Sequence, residues 1–204
     1  MFDERFHFLI SYLTALANYA KDFHYYCKSF GVHLFCDEVF DGLYDYTDQI
    51  RENVMLGSGV LPHSSRGYLM AAIPMVMPID DDEYKNFEML MGLLEMGRLI
   101  VNDMKGTSRG QNALLDDIAG HIDKMCGLTF LQLRKFDNVH EGKNFTKEEC
   151  KACVERAVDR AKAELAKINY DKVADQIIAT SGQQQMLEGE EENTLDKLSK
   201  KLGI

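Results

Sequence analysis

His33, Asp37, Asp48 and Glu52 stand in the order H-x3-D-x10-D-x3-E inside one apolar-periodic stretch. An α-helix turns about 100° per residue, so with His33 at zero Asp37 falls at about 40°, Asp48 at about 60° and Glu52 at about 100°. Val32, Phe35, Val39, Leu43, Ile50 and Val54 gather at about 250°, on the opposite side. The helix therefore has an oily face and a separate face of three carboxylates and one imidazole. Imidazole and carboxylate together suit iron, zinc or manganese better than calcium or magnesium.

One ion cannot touch all four. Eleven residues separate Asp37 from Asp48, or about 16 Å of helix. His33/Asp37 and Asp48/Glu52 are two half-sites. A second copy packed antiparallel across a two-fold axis would set each half against its complement, giving two equivalent sites at once. A solvated acidic face accounts for the same residues, because Glu38, Asp41 and Asp45 are neighbours in the sequence.

The elements that must carry these groups are helical. The chain has 204 residues, 46% hydrophobic, with Gly and Pro together sparse and only three prolines. Pro62, Pro74 and Pro78 share one window, which predicts a single long connection. Helical spacing predicts a first helix over about 6–26, with Leu9, Leu13, Leu16, Ala20 and Phe23 inward, and a second over about 31–56. Residues 64–73 form a short helix within the crossover. Asp80, Asp81 and Asp82 open a third long helix, where negative charge favours the helix N-terminus. A turn at 106–110 precedes a fourth over about 111–136, with Leu114, Ile118, Ile122, Cys126 and Phe130 inward. Four long helices with one long crossover between the second and third follow the ferritin-like bundle plan. The fold expected is all-α, with the bundle in residues 1–140 and a helical extension in 141–204. In the extension, Thr146 and Glu149 form a capping-box pattern opening a helix over about 147–168 with a stripe of Val154, Val158, Ala161 and Leu165. Residues 170–180 are read as a continuation of helix, 181–193 as a mobile acidic linker and 194–202 as a short amphipathic helix.

The second helix and crossover resemble the Dps mini-ferritins. His33 to Asp37 and Asp48 to Glu52 match that family's run without a gap, followed in order by Leu56-Gly57-Ser58-Gly59, Pro62 and Tyr68-Leu69. The resemblance covers roughly residues 6–136. The family's further ligand, a His usually followed by Trp, has its counterpart in His24-Tyr25. The spacing from His24 to His33 is three residues shorter than in the family, which predicts a tighter loop and a displaced His24. The segment from His24 to His33 also resembles ferritin-like proteins of phages and large viruses. These resemblances imply a ferroxidase that stores iron and removes peroxide, with di-iron sites (Fe2+/Fe3+) between subunits. His33 and Asp37 would serve one side, Asp48 and Glu52 of the neighbour the other, and His24 would be a fifth ligand. Two-fold dimers would assemble into a dodecamer, cytoplasmic or, if phage-encoded, in a virion.

Other features narrow the alternatives. A net charge of −10 makes direct DNA binding unlikely, because phosphate binding needs Lys and Arg. Five cysteines without a secretory leader suggest reduced thiols in a cytosol, and no apolar run reaches membrane-spanning length. Glu4-x-x-His7 reads as a frayed terminus rather than half of an intra-bundle di-iron motif. Cys150-x-x-Cys153 reads as structural. His63, His121 and His140 read as ordinary histidines, and Met89, Met91, Met96 and Met104 as core. P-loop, GxSxG and HExxH motifs are absent. A ferritin-like structural or interaction protein without iron turnover is the competing reading, with the C-terminal extension as the surface for a protein partner.

Overall fold

The computed structural model describes residues 5–58, 64–106, 111–141 and 147–169, and these are helical throughout apart from short connections. The helices are α1 (Arg5–Tyr26), α2 (Phe30–Ser58), α3 (Ser65–Ala72), α4 (Glu83–Met104), α5 (Asn112–Glu141) and α6 (Lys147–Leu165). A single 3-10 turn, Ile73–Met75, follows α3. The chain is all-α over the described residues, and no described helix is long and apolar enough to cross a membrane.

α1 lies at the centre, packed on α2, α3 and α4. Its five expected inward positions are buried, and so are His7, Ser11, Thr14 and Ala15, which fall on the opposite side of the helix at about 100° per residue. The reason is legible in the chain: no Asp, Glu, Lys or Arg occurs from Phe6 to Ala20. A helix apolar all round is a buried one. Its interior hydroxyls find acceptors, Tyr12 donating to the Leu93 carbonyl at 2.7 Å and Tyr19 to that of Asn86 at 3.2 Å. His7 is buried, not frayed. Its Nδ1 lies 2.7 Å from the Tyr68 hydroxyl, which ties the start of α1 to α3; Glu4 lies outside the described residues.

The helix starts follow capping chemistry. The Ser64 hydroxyl accepts from the Gly67 amide at 3.1 Å, and an Asp82 carboxylate oxygen from the Tyr84 amide at 3.0 Å. Between α1 and α2 only Cys27, Lys28 and Ser29 intervene. The Ser29 hydroxyl accepts from the Val32 amide at 3.2 Å and so starts α2 at once. Gly106 ends α4 with φ of 82°, a conformation glycine adopts without strain; the rest of the expected turn lies outside the described residues.

On α5 the buried line is Leu115, Ile118, Ala119, Ile122, Met125, Cys126 and Leu133, with Leu114 and Phe130 only partly covered. The four methionines expected in the core are there. α6 packs along α4 on a stripe that keeps the expected Ala161 and Leu165 but shifts by one residue in its first half. Cys153, Ala157, Ala161 and Leu165 are buried in the same core, while Val154 and Val158 sit at its edge. Closeness selects this face: a Cβ on Gly92 would stand 2.2 Å from the Ala157 carbonyl oxygen, so only small residues fit where the helices cross. Arg160 fastens the contact from outside, 3.2 Å from Glu88 and 3.7 Å from Asp80. Thr146 and residues 170–204 lie outside the described residues.

Candidate metal centre

The expected apolar face of α2 is buried at all six positions, so the helix is phased as its pattern requires. That phasing turns His33 and Asp37 to the half-exposed edge and leaves Asp48 and Glu52 in solvent. The short 27–29 linker brings the end of α1 alongside. His24 is not displaced: it is nearly buried, its ring lies 3.4 Å from that of His33 centroid to centroid, and its Nδ1 is 2.9 Å from an Asp37 carboxylate oxygen. The tight loop keeps His24 within reach because α2 begins immediately after it.

One ligand atom from each of His24, His33 and Asp37 falls within 4.8 Å of the other two, a spacing that could hold a metal ion. The two rings are held reciprocally. His24 Nδ1 lies 3.2 Å from the His33 carbonyl oxygen, and His33 Nδ1 lies 3.1 Å from that of His24. Carbonyls and carboxylates only accept, so each Nδ1 carries the proton in this arrangement. In the neutral ring that leaves the lone pair on Nε2. Backbone or carboxylate bonds of this kind orient histidines that ligate metals.

Two residues at the site were not singled out by the sequence. Lys21 sets its ammonium 2.9 Å from the same Asp37 oxygen that His24 approaches. That hydrogen bond holds the Asp37 carboxyl below the usual carboxylate range, with the charge of His24 acting in the same direction against partial burial. It also pushes the Lys21 ammonium up. The signal available was spacing, since Lys21 lies three residues before His24, about one helical turn. Cys27 donates to the His24 carbonyl at 3.1 Å, with its sulfur 3.9 Å from His33 Nδ1. Burial pushes this thiol up, and the nearby Glu83 adds to the effect.

Asp48 and Glu52 do not join this cluster within one chain. They lie further along α2 on the same exposed face, interspersed with large apolar residues: Phe30, Leu34, Tyr44, Met55 and Leu56. Phe30 is 75% exposed and Leu56 80%, values that mark this face as uncovered in the single chain. Phe30 and Met55, His33 and Glu52, and Asp37 and Asp48 are each centred on the same point of α2, between Gly42 and Leu43. The face is thus patterned symmetrically about its own middle.

The remaining candidates fall elsewhere. His121 packs between α5 and α2 against Tyr46 and Gly42, where burial lowers its pKa. Cys27, Cys36 and Cys126 form no disulfide, and burial pushes the last two thiols far up. Cys153 is buried against α4. His63 and the side chains of His140 and Cys150 lie outside the described residues.

Comparison with protein families, with characterised proteins and with solved structures finds no match.

Proposed function

We propose that the chain is a ferroxidase of the mini-ferritin type, binding Fe(II) between two copies of itself and storing the oxidised iron. The bundle would be α1, α2, α4 and α5, with α3 in the crossover and α6 added outside α4, assembled as two-fold dimers within a larger shell. The observation that carries the reading is the symmetric face of α2. An antiparallel two-fold through its midpoint would cover the exposed apolar residues, pairing Phe30 with Met55, and would bring Asp48 and Glu52 of a second copy to His24, His33 and Asp37. Two imidazoles and three carboxylates are a donor set suited to iron. Two Fe(II) ions give one electron each to peroxide, which takes up two protons and leaves as two waters. The protein holds the ions, and the carboxylates balance the added charge of Fe(III).

The Lys21–Asp37 ion pair favours a second reading. It satisfies Asp37 without a metal, as a ferritin-like interaction protein without turnover would require.

Mixed assemblies decide between them. His33→Ala disables one half-site and Glu52→Gln the other, so each parent is expected to be inactive. A mixed dimer contains one site with both halves intact and one with both defects. Partial Fe(II) oxidation is therefore expected to return in the mixture. No recovery in a verified mixed assembly overturns the two-fold site.

A further inference from the structure

A cleft of about 370 Å³ opens between α1, α2 and α3. Arg51 lies in it with no carboxylate in ion-pair range among the described residues, and its Nε is buried without a hydrogen-bond partner. The guanidinium lies 5.6 Å from the centre of the Tyr68 ring. That ring is itself fixed, since the Tyr68 hydroxyl is engaged with His7. The cation is therefore positioned by a cation–π contact rather than by an anion of the protein. Asp45 and Asp48 line the same cleft, and Ile10 and Leu69 supply apolar wall.

These features define a ligand. A planar guanidinium with unfilled donors takes a carboxylate by a two-pronged hydrogen bond. Asp45 and Asp48 would repel a bare anion of the same size and favour one that also carries an ammonium. The apolar wall suits an aliphatic side chain. We propose that this cleft binds a small zwitterion, an aliphatic α-amino acid, with its carboxylate on Arg51 and its ammonium towards Asp45 and Asp48. The inference uses one chain's residues and does not rest on metal binding; because Tyr44 and Asp48 also lie on the α2 face that the two-fold reading above covers, it is made for the metal-free chain.

The test uses the full chain stripped of metal with chelator and titrated with L-leucine, followed by two-dimensional amide NMR. Saturable shifts at residues lining the cleft are expected. 4-Methylpentanoate, which lacks the ammonium, and 3-methylbutylamine, which lacks the carboxylate, should each bind at least about tenfold more weakly. Arg51→Gln should lose about tenfold or more, and Arg51→Lys, which keeps the charge but not the fork, should also weaken binding. Asp45→Asn should narrow the gap between leucine and 4-methylpentanoate while leaving cobalt binding at His24, His33 and Asp37 unchanged. The proposal is overturned if leucine produces no saturable shifts at millimolar concentration. It is also overturned if 4-methylpentanoate binds as tightly, or if folded Arg51 variants bind leucine as wild type does. Because no metal is present, failure here is separate from failure of the ferroxidase reading.

Discussion

Lys21 places its ammonium 2.9 Å from the Asp37 oxygen that also faces His24. A metal at His24, His33 and Asp37 must therefore work against a cation already in place. Lys21→Gln should tighten binding of Co(II), used as a spectroscopic stand-in for Fe(II), by about twofold to fivefold, in keeping with the modest worth of a partly exposed ion pair. Absorption titrations of the two proteins measure it. Equal affinities would show that the ammonium moves aside at no cost.

The same pair sets a pH window. Asp37 is held below its ordinary value, so its contribution to stability is present above about pH 3.9 and is lost as pH falls through the lower folded-state value. Lys21 is raised, so its contribution is present below about pH 10.4 and is lost as pH rises through the higher folded-state value. In Lys21→Gln the Asp37 carboxyl should titrate at higher pH than in wild type. Carboxyl-carbon NMR of the metal-free protein reads that shift directly, and an unmoved Asp37 would contradict it.

Two helix glycines should respond differently to alanine. At Gly92 the new Cβ meets the Ala157 backbone oxygen at 2.2 Å and Ala161 Cβ at 2.7 Å, and neither can retreat without moving α6. Gly92→Ala should cost about 1–3 kcal/mol by overpacking. At Gly42 the obstacle is the His121 ring, 2.3 Å away at Cε1 but at the end of a side chain that can swing. There the helix gain of about 0.5–1 kcal/mol offsets the clash, and Gly42→Ala should be near neutral. Urea unfolding of the two variants, with Gly42→Ala repeated in a His121→Ala background, tests the contrast.

Tyr68→Phe removes the hydroxyl 2.7 Å from His7 Nδ1 but keeps the ring under Arg51. A loss of about 1 kcal/mol is expected, the worth of one internal hydrogen bond. Denaturant melts of the variant and wild type report it; an unchanged midpoint would mean that α1 and α3 are joined by packing alone.

The sequence reveals most about α2, where a clean split between apolar and ionisable positions predicts the burial of six residues, which Cys36 and Thr47 join, and the exposure of Asp48 and Glu52. It reveals less where two helices come close. On α6 the expected Ala161 and Leu165 are buried, but Cys153 and Ala157 replace Val154 and Val158, because periodicity favours the larger valines whereas contact at Gly92 demands a small residue. The short spacing from His24 to His33 predicts a displaced His24 only if loop length sets the distance between the rings. The Ser29 cap starts α2 at once, and the shorter loop brings the rings together. Beyond its spacing from His24, Lys21 carries no signal in the sequence, because a lysine near a helix end is ordinarily solvated and only the folded pair shows what it touches. The burial of α1 on every side up to its last turns is visible in its missing charges, but helical spacing alone suggests one inward stripe.

α1 has almost no solvent face until its last turns, and those turns carry Lys21 and His24. Amides in so enclosed a helix exchange with solvent water chiefly when the whole molecule opens. Any ion gripped through His24 favours the closed form in proportion to its binding free energy. Deuterium uptake deep in α1 would then serve as a gauge of occupancy at the rim, letting the slowest-exchanging part of the chain register what happens at its surface.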